Sequence, residues 1–287
     1  LRPCPLCRAT ATSPLFEKDG WPFERCAGCG LATRGGDAAP PSYHDYFPSL
    51  TQTLPPLTRR RYEALLSRLA DRRRTGRFLD VGCGGGFLVE TARDLGWSAE
   101  GTEVSAAAAE FGRGRGLTIH VGVLADAKLP AAAFDVITMM EVVEHVPSPV
   151  ALLAECAALL RPGGALYLTT PNWASVSRRV LGPRWSAIGR DHVVYFTPRH
   201  LRRALSAAGL APLHVSTANV QPHEILARFR RTAPQQTSME RTMELRETVE
   251  ASFVLRAAKS IANAVLAATG TGDTIRALVE RPQSAPA

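Results

Sequence analysis

The chain has 287 residues, 45% of them hydrophobic, and a formal net charge of +8, enough for one large domain and a small appendage. No apolar run is long enough to span a membrane as a helix. The positive charge raises a nucleic-acid reading, but only Lys18, Lys128 and Lys259 are lysines. An arginine-dominated, Ala- and Gly-rich chain reads as coding bias with solvated arginines, and it argues against a nucleic-acid partner.

The first segment carries two Cys-x-x-Cys pairs, Cys4–Cys7 and Cys26–Cys29, separated by eighteen residues. Two such knuckles supply four thiolates, which suits a tetrahedral structural zinc. Leu15, Phe16, Trp21 and Phe23 between them predict a two-hairpin ribbon over 1–33, too small to hold together without a staple. Two disulfides in an exported domain are the alternative. No charged-then-apolar leader opens the chain, so the expected location is the cytoplasm. A Gly-, Pro- and Ser-rich linker follows over 34–57, interrupted by Tyr43–Phe47, which are apolar enough to pack on the main domain. Thr58 to Arg74 predicts a helix with Thr58 as N-cap and Tyr62, Leu65, Leu66 and Leu69 on one face.

Leu79–Asp80–Val81 then reads as a strand end, followed by the turn Gly82–Cys83–Gly84–Gly85–Gly86 and a helix from Phe87 to Gly96. Glycines there admit left-handed backbone and close approach of a ligand. Trp97 to Val104 is a second strand ending on Glu103, a carboxylate placed to accept hydrogen bonds from both hydroxyls of a ribose. An Ala-rich helix capped by Ser105, a strand over 117–121, an apolar strand over 134–140 and a helix over 149–160 come next. Arg161–Pro162–Gly163–Gly164 predicts a sharp turn, with a fifth strand over 165–170. Cys83 and Cys156 read as small buried apolar residues. The alternation predicts an α/β fold, a doubly wound and mainly parallel sheet with ligands at the carboxyl ends of its strands. Further on lie a helix at 198–209, a strand at 211–218 and a strand over 273–280. The core spans 58–220, a helical insertion or lid 221–268, and the last strand and tail 269–287. The insertion either folds over the cleft or forms the face of a homodimer.

The residues from about Gly76 to Pro282 resemble class I S-adenosylmethionine-dependent methyltransferases. The resemblance rests on Asp80-x-Gly82-x-Gly84-x-Gly86, on Glu103 at the second strand end, and on Leu160–Arg161–Pro162–Gly163–Gly164. It implies a Rossmann-like sheet of seven strands with an antiparallel C-terminal hairpin. It also implies that Asp80, Gly82, Cys83, Gly84 and Gly86 hold the methionine end of the cofactor, and that Glu103 holds the ribose. Val104, Val123, Leu124 and Asp126 then border the adenine, and Glu141 closes the cofactor set. The segment Glu141–Val142–Val143–Glu144–His145 looks like that of the ubiquinone-pathway O-methyltransferases, whose two Glu and one His are associated with a divalent metal such as magnesium. The alternative is that His145 acts as a general base for a hydroxyl. The stretch from Arg190 to Thr197 resembles another motif of this branch, with His192 and Tyr195 expected to face the cleft beside Trp173 and Trp185.

The implied function is methyl transfer to a small molecule, at oxygen or else at carbon or nitrogen, in a bacterial biosynthetic pathway. His145, His192 and Glu144 are the catalytic candidates. Two other readings stay open: a zinc-ribbon methyltransferase acting on ribosomal-RNA bases, and a non-catalytic module that binds a cofactor or a partner.

Overall fold

The computed structural model describes residues 2–36, 53–220 and 253–283, together with Ile225. The aromatic run Tyr43–Phe47 and, Ile225 apart, the part of the expected 221–268 insertion that precedes residue 253 lie outside the described residues, and the dimer face expected of that insertion is not tested. Among the described residues no helix is long and apolar enough to cross a membrane.

Two sheets organise the chain. The first is antiparallel and built by the amino-terminal segment: β1 (Thr12–Lys18), β2 (Trp21–Cys26) and β3 (Ala32–Arg34). The second starts after helix α1 (Pro56–Leu69) with β4 (Arg77–Val81), and continues through α2 (Phe87–Asp94), β5 (Ser98–Glu103), α3 (Ala106–Arg113), β6 (Thr118–Val121) and β7 (Phe134–Met140). After α4 (Pro149–Leu159) come β8 (Leu160–Pro171), α5 (Val176–Leu181), β9 (Val194–Tyr195), α6 (Pro198–Ala207), β10 (Ala211–Ala218), α7 (Phe253–Thr269) and β11 (Thr274–Glu280). The large sheet has seven strands in the order β10-β11-β8-β7-β4-β5-β6. Pairing is parallel from β8 to β6, and β11 runs antiparallel to both β8 and β10. This is the expected doubly wound sheet with its C-terminal hairpin. β7 is buried along nearly its whole length, as a strand covered on both faces must be.

Three local expectations change. Helix α1 begins at Pro56, and Thr58 does not cap it; a proline in the first turn needs no donor there and already has a helical φ. Its apolar face still packs as the periodicity requires, with Leu66 and Leu69 buried against Phe78 and Trp97. The Arg161–Gly164 turn is not a break before β8 but an excursion inside it. Phe134 pairs with Leu160 and Val136 with Ala165, so the surplus residues bulge out while the strand continues against β11. A Cβ on Gly164 would meet the carbonyl oxygens of Arg161 and Phe134 at 2.9 Å, so only glycine fits.

The third change concerns the ribbon. Its outer strand does not stay in the appendage, because β3 pairs with β9 of the main domain, Ala32 against Tyr195 and Thr33 against Val194. Phe23 and Ala32 share one buried cluster with Trp173, Trp185 and Tyr195. Phe16 stacks on Phe23 at 4.9 Å and on Trp173 at 6.3 Å. The first sheet is therefore seated on the carboxyl-end rim of the second.

Candidate functional site

A cleft of about 930 Å³ opens between the two sheets at the carboxyl ends of β4, β5 and β7. Gly82 and Gly84 form its floor, with Glu103, Val104, Val123 and Leu124 on one side and Glu141 and His145 on the other. Gly82 has φ +71, and a Cβ there would run into the Val142 side chain, so the turn after β4 is restricted to glycine both by conformation and by space. The glycine turn leads into α2, whose N-cap Gly86 has φ +81.

Glu103 ties this floor together. Its Oε2 accepts from the Gly84 N–H at 2.8 Å and its Oε1 from the Ser105 N–H at 2.8 Å. A carboxylate offers about four lone-pair sites, so each oxygen keeps one acceptor site beyond these bonds. Val104 and Val123 flank it, 38% and 57% exposed, two apolar side chains presented to the cleft on either side. Asp126 stands behind Val123 and accepts its N–H at 3.1 Å; it fixes the loop and does not line the cleft.

Asp80 is placed below the floor, not on it. It is 5% exposed, its Oδ1 accepts from Thr138 Oγ1 at 2.6 Å, and burial, with the Glu103 charge adding to it, pushes its pKa up to about 7. Cys83 turns toward Gly101, which leaves room for its sulfur, and burial raises its thiol pKa. Gly86 packs against Leu117 and Ile119. Of the residues expected around a cofactor, Gly82, Gly84, Glu103, Val104, Val123, Leu124 and Glu141 line the cleft, while Asp80, Cys83, Gly86 and Asp126 support it.

Across the cleft the chain leaves β7 through Glu141, which has φ +54. His145 follows, its Nδ1 bonded to the Asp191 carbonyl at 2.9 Å. The ring of His192 meets it edge-on, with centroids 4.5 Å apart. Burial lowers both imidazole pKa values, that of His192 to about 4. Glu144 lies behind them, 1% exposed. Its Oε2 accepts from Thr170 Oγ1 at 2.9 Å, and burial, reinforced by Glu141, raises its pKa well above the usual carboxylate value.

The metal-ligating groups gathered here are Glu144, His145 and His192, all within 4.8 Å. The expected set of Glu141, Glu144 and His145 is not the one the fold assembles. Magnesium prefers a shell of oxygens, and two imidazoles with one carboxylate do not match it. Trp173 and Tyr195 also depart from expectation. They are 6% and 2% exposed and belong to the junction between the sheets, where the Tyr195 hydroxyl bonds Gly189. His192 and Trp185 line a second, smaller cavity of about 180 Å³ next to Glu141.

The four ribbon cysteines converge. Cys4 and Cys29 sulfurs are 3.7 Å apart, those of Cys7 and Cys26 3.4 Å, and all four lie within 4.8 Å of one another. A tetrahedron of thiolates about 2.3 Å from zinc has edges of roughly 3.8 Å, close to this spacing. None of the four is bonded to another as a disulfide. Burial raises the pKa of Cys4 and Cys29. At Cys26 burial acts the same way but is outweighed by amide donors of Cys29 and Gly28 and by the neighbouring thiols, which bring it down to about 7. The donor set fits a structural zinc.

What the residue pattern alone missed is the roof of the cleft. Arg2, Thr12, Glu24, Thr33 and Arg34 of the amino-terminal sheet line it, facing Gly82 and His145. Nothing in their local sequence marks them as site residues; only the β3–β9 pairing, between segments far apart in the chain, brings them there.

Residues 57–215 match the family model described as "Methyltransferase domain". Similar curated proteins include a ubiquinone biosynthesis O-methyltransferase of Burkholderia pseudomallei, 32% identical over 167 residues, covering 53% of this chain and 71% of that protein. A protein of the same description from Parvibaculum lavamentivorans is 40% identical over 133 residues, covering 43% of this chain and 49% of its own length. Among solved structures, a SAM-dependent methyltransferase from Archaeoglobus fulgidus superposes with a TM-score of 0.54 at 16% identity, covering 83% of this chain and 97% of that one; at that identity the likeness is one of fold.

Proposed function

The chain belongs to the methyltransferase-domain family as a class I S-adenosylmethionine-dependent enzyme, and from that membership and its similarity to ubiquinone biosynthesis O-methyltransferases we propose that it methylates a hydroxyl oxygen of a small molecule in a bacterial biosynthetic pathway, in the cytoplasm. The observation that carries this reading is the shared cleft, with the Glu103 carboxylate on its donor side and His145 across from it. Bound S-adenosylmethionine supplies a methyl group on a sulfonium, already a good leaving group. The chain then has three tasks. The glycine turn and Glu103 would hold the donor, Glu103 by accepting hydrogen bonds from its ribose hydroxyls, and Val104 and Val123 would border its adenine. The cleft walls align donor and acceptor for in-line displacement. His145, neutral near pH 7 because burial lowers its pKa, takes the acceptor's hydroxyl proton. Asp191 orients that base through the bond to its Nδ1, and Glu144 and His192 hold it from behind. No step is routed through a divalent ion. The four-cysteine centre holds structural zinc and takes no part in the chemistry.

The test is incubation of the full chain with methyl-labelled S-adenosylmethionine and a bacterial cell extract that retains both metabolites and RNA, then mass spectrometry of the labelled products. Label in a small-molecule ether is the expected result. Label confined to RNA overturns the small-molecule reading, and label on carbon or nitrogen overturns the hydroxyl assignment.

A further inference from the structure

The amino-terminal ribbon does more than cover the cleft. Its cysteine centre is itself at the wall, because Cys4 and Cys26 line the cleft. From there two bonded routes lead to the histidine pair. The first is backbone. Arg34 N–H donates to the Val193 carbonyl at 3.0 Å, beside the β3–β9 pairing. Val193 and Val194 in turn donate their N–H groups to the Glu144 carbonyl at 2.9 and 3.1 Å. The second is side chain. The Arg34 guanidinium lies over the Trp21 ring at 4.4 Å and donates to the Arg190 carbonyl, next to Asp191, whose own carbonyl holds His145. The ribbon is fastened from outside as well. His200 Nε2 meets the Cys29 carbonyl at 3.0 Å, and Lys18 donates to the Trp185 and Ile188 carbonyls. The donor side of the cleft is built differently. Gly82, Gly84, Glu103 and Ser105 are tied to one another and to β5, with no bond to the ribbon in that set.

We infer that the four-cysteine ribbon is the positioning element of the acceptor side: through β3 and Arg34 it fixes residues 190–195, and with them His145 and His192, while the donor side stands without it. Emptying the cysteine centre therefore disarms the acceptor half of the cleft and leaves the donor half intact. Arg34 is a positioning residue in this arrangement. The inference rests on the methyltransferase reading of the cleft.

The experiment compares the zinc-loaded full chain with the same protein after chelator treatment. Metal content gives the state of the centre. Calorimetry with S-adenosylhomocysteine reports the donor side, and amide exchange read by mass spectrometry reports residues 189–196 and 141–147. Expected on metal removal is exchange faster by about tenfold or more in both segments, with S-adenosylhomocysteine affinity within about twofold of the loaded protein. Arg34→Ala tests the same link with the cysteine centre full. It should retain its zinc, yet lose protection at 189–196. Arg34→Lys, which keeps a donor for the Arg190 carbonyl, should restore most of it. Fast exchange confined to residues 2–34 overturns the inference, as does loss of donor affinity in step with the metal. Failure of the zinc-loaded protein to bind S-adenosylhomocysteine at all would instead overturn the donor assignment on which Glu103 rests.

Discussion

Glu103 and Asp80 are both carboxylates within the first β-α-β unit, and their surroundings separate them. Glu103 is bonded by two amides and faces the cleft, so Glu103→Ala should weaken S-adenosylmethionine binding by about tenfold or more, with thermal stability changed far less; unchanged affinity on calorimetry would undo the ribose assignment. Asp80 is buried with one hydroxyl donor, and burial raises its pKa from 3.8 to about 7. A carboxylate raised in the folded state contributes stability that is present below its unfolded pKa and lost as pH rises through about 7, a loss on the order of 4 kcal/mol. Asp80→Asn removes that ionisation and keeps an acceptor for Thr138. The ligand-free variant should therefore melt higher than the wild type at pH 8 and alike at pH 4, and equal melting at both would show that Asp80 ionises freely. His145→Ala should cut turnover by about 10²- to 10⁴-fold with donor affinity nearly intact. That Glu103 and the glycine turn meet at one cleft is legible in the sequence, because a glycine-dense turn and a strand-end acid are local features. The burial of Asp80 beneath the floor is not, since its depth depends on Thr138 arriving from another strand.

Elements were read well where hydrophobic period and punctuation agree, as in β7 and in α3 with its Ser105 cap. They were misread where a motif serves a distant partner. Arg161–Pro162–Gly163–Gly164 looks like a turn, but its excursion lets Arg161 reach Asp135 Oδ1 at 2.5 Å and the Arg72 carbonyl at 2.6 Å. Asp135 Oδ2 accepts three further amides, of Arg74, Thr75 and Gly76, at 2.7 to 2.8 Å. Burial alone would raise this carboxyl, but the Arg161 guanidinium and the amides hold its pKa below the usual value. Its contribution is thus present above the unfolded carboxylate pKa and fades as pH falls. Asp135→Ala leaves a guanidinium and three amides without their acceptor and should cost about 3–5 kcal/mol in urea denaturation at pH 7. A loss under about 1 kcal/mol would mean that water replaces the carboxylate.

At the scale of the molecule, the sheet order follows from the alternation of strands and helices, and the cysteine spacing marks a ribbon whose four thiols converge. How the two parts meet could not be read, because β9 is two residues long and has no pattern of its own. Its partner β3 lies in a segment that spacing alone marks as separate. The aromatic side chains follow from the same pairing: Trp173 and Tyr195, expected at the cleft, are buried by Phe16, Phe23 and Ala32 of the ribbon. The late strand β11 has a consequence for synthesis. It lies between β10 and β8, and the loop after β8 leans on the turn that enters it, with Asn172 bonded to Asp273, Gly270 and Gly272. While the ribosome is still adding the residues before Thr274, β8 is an open edge and β10 has no neighbour. The donor floor on β4 and β5 can form early on the nascent chain, but the sheet beneath the acceptor side closes only once residues 274–280 have left the exit tunnel.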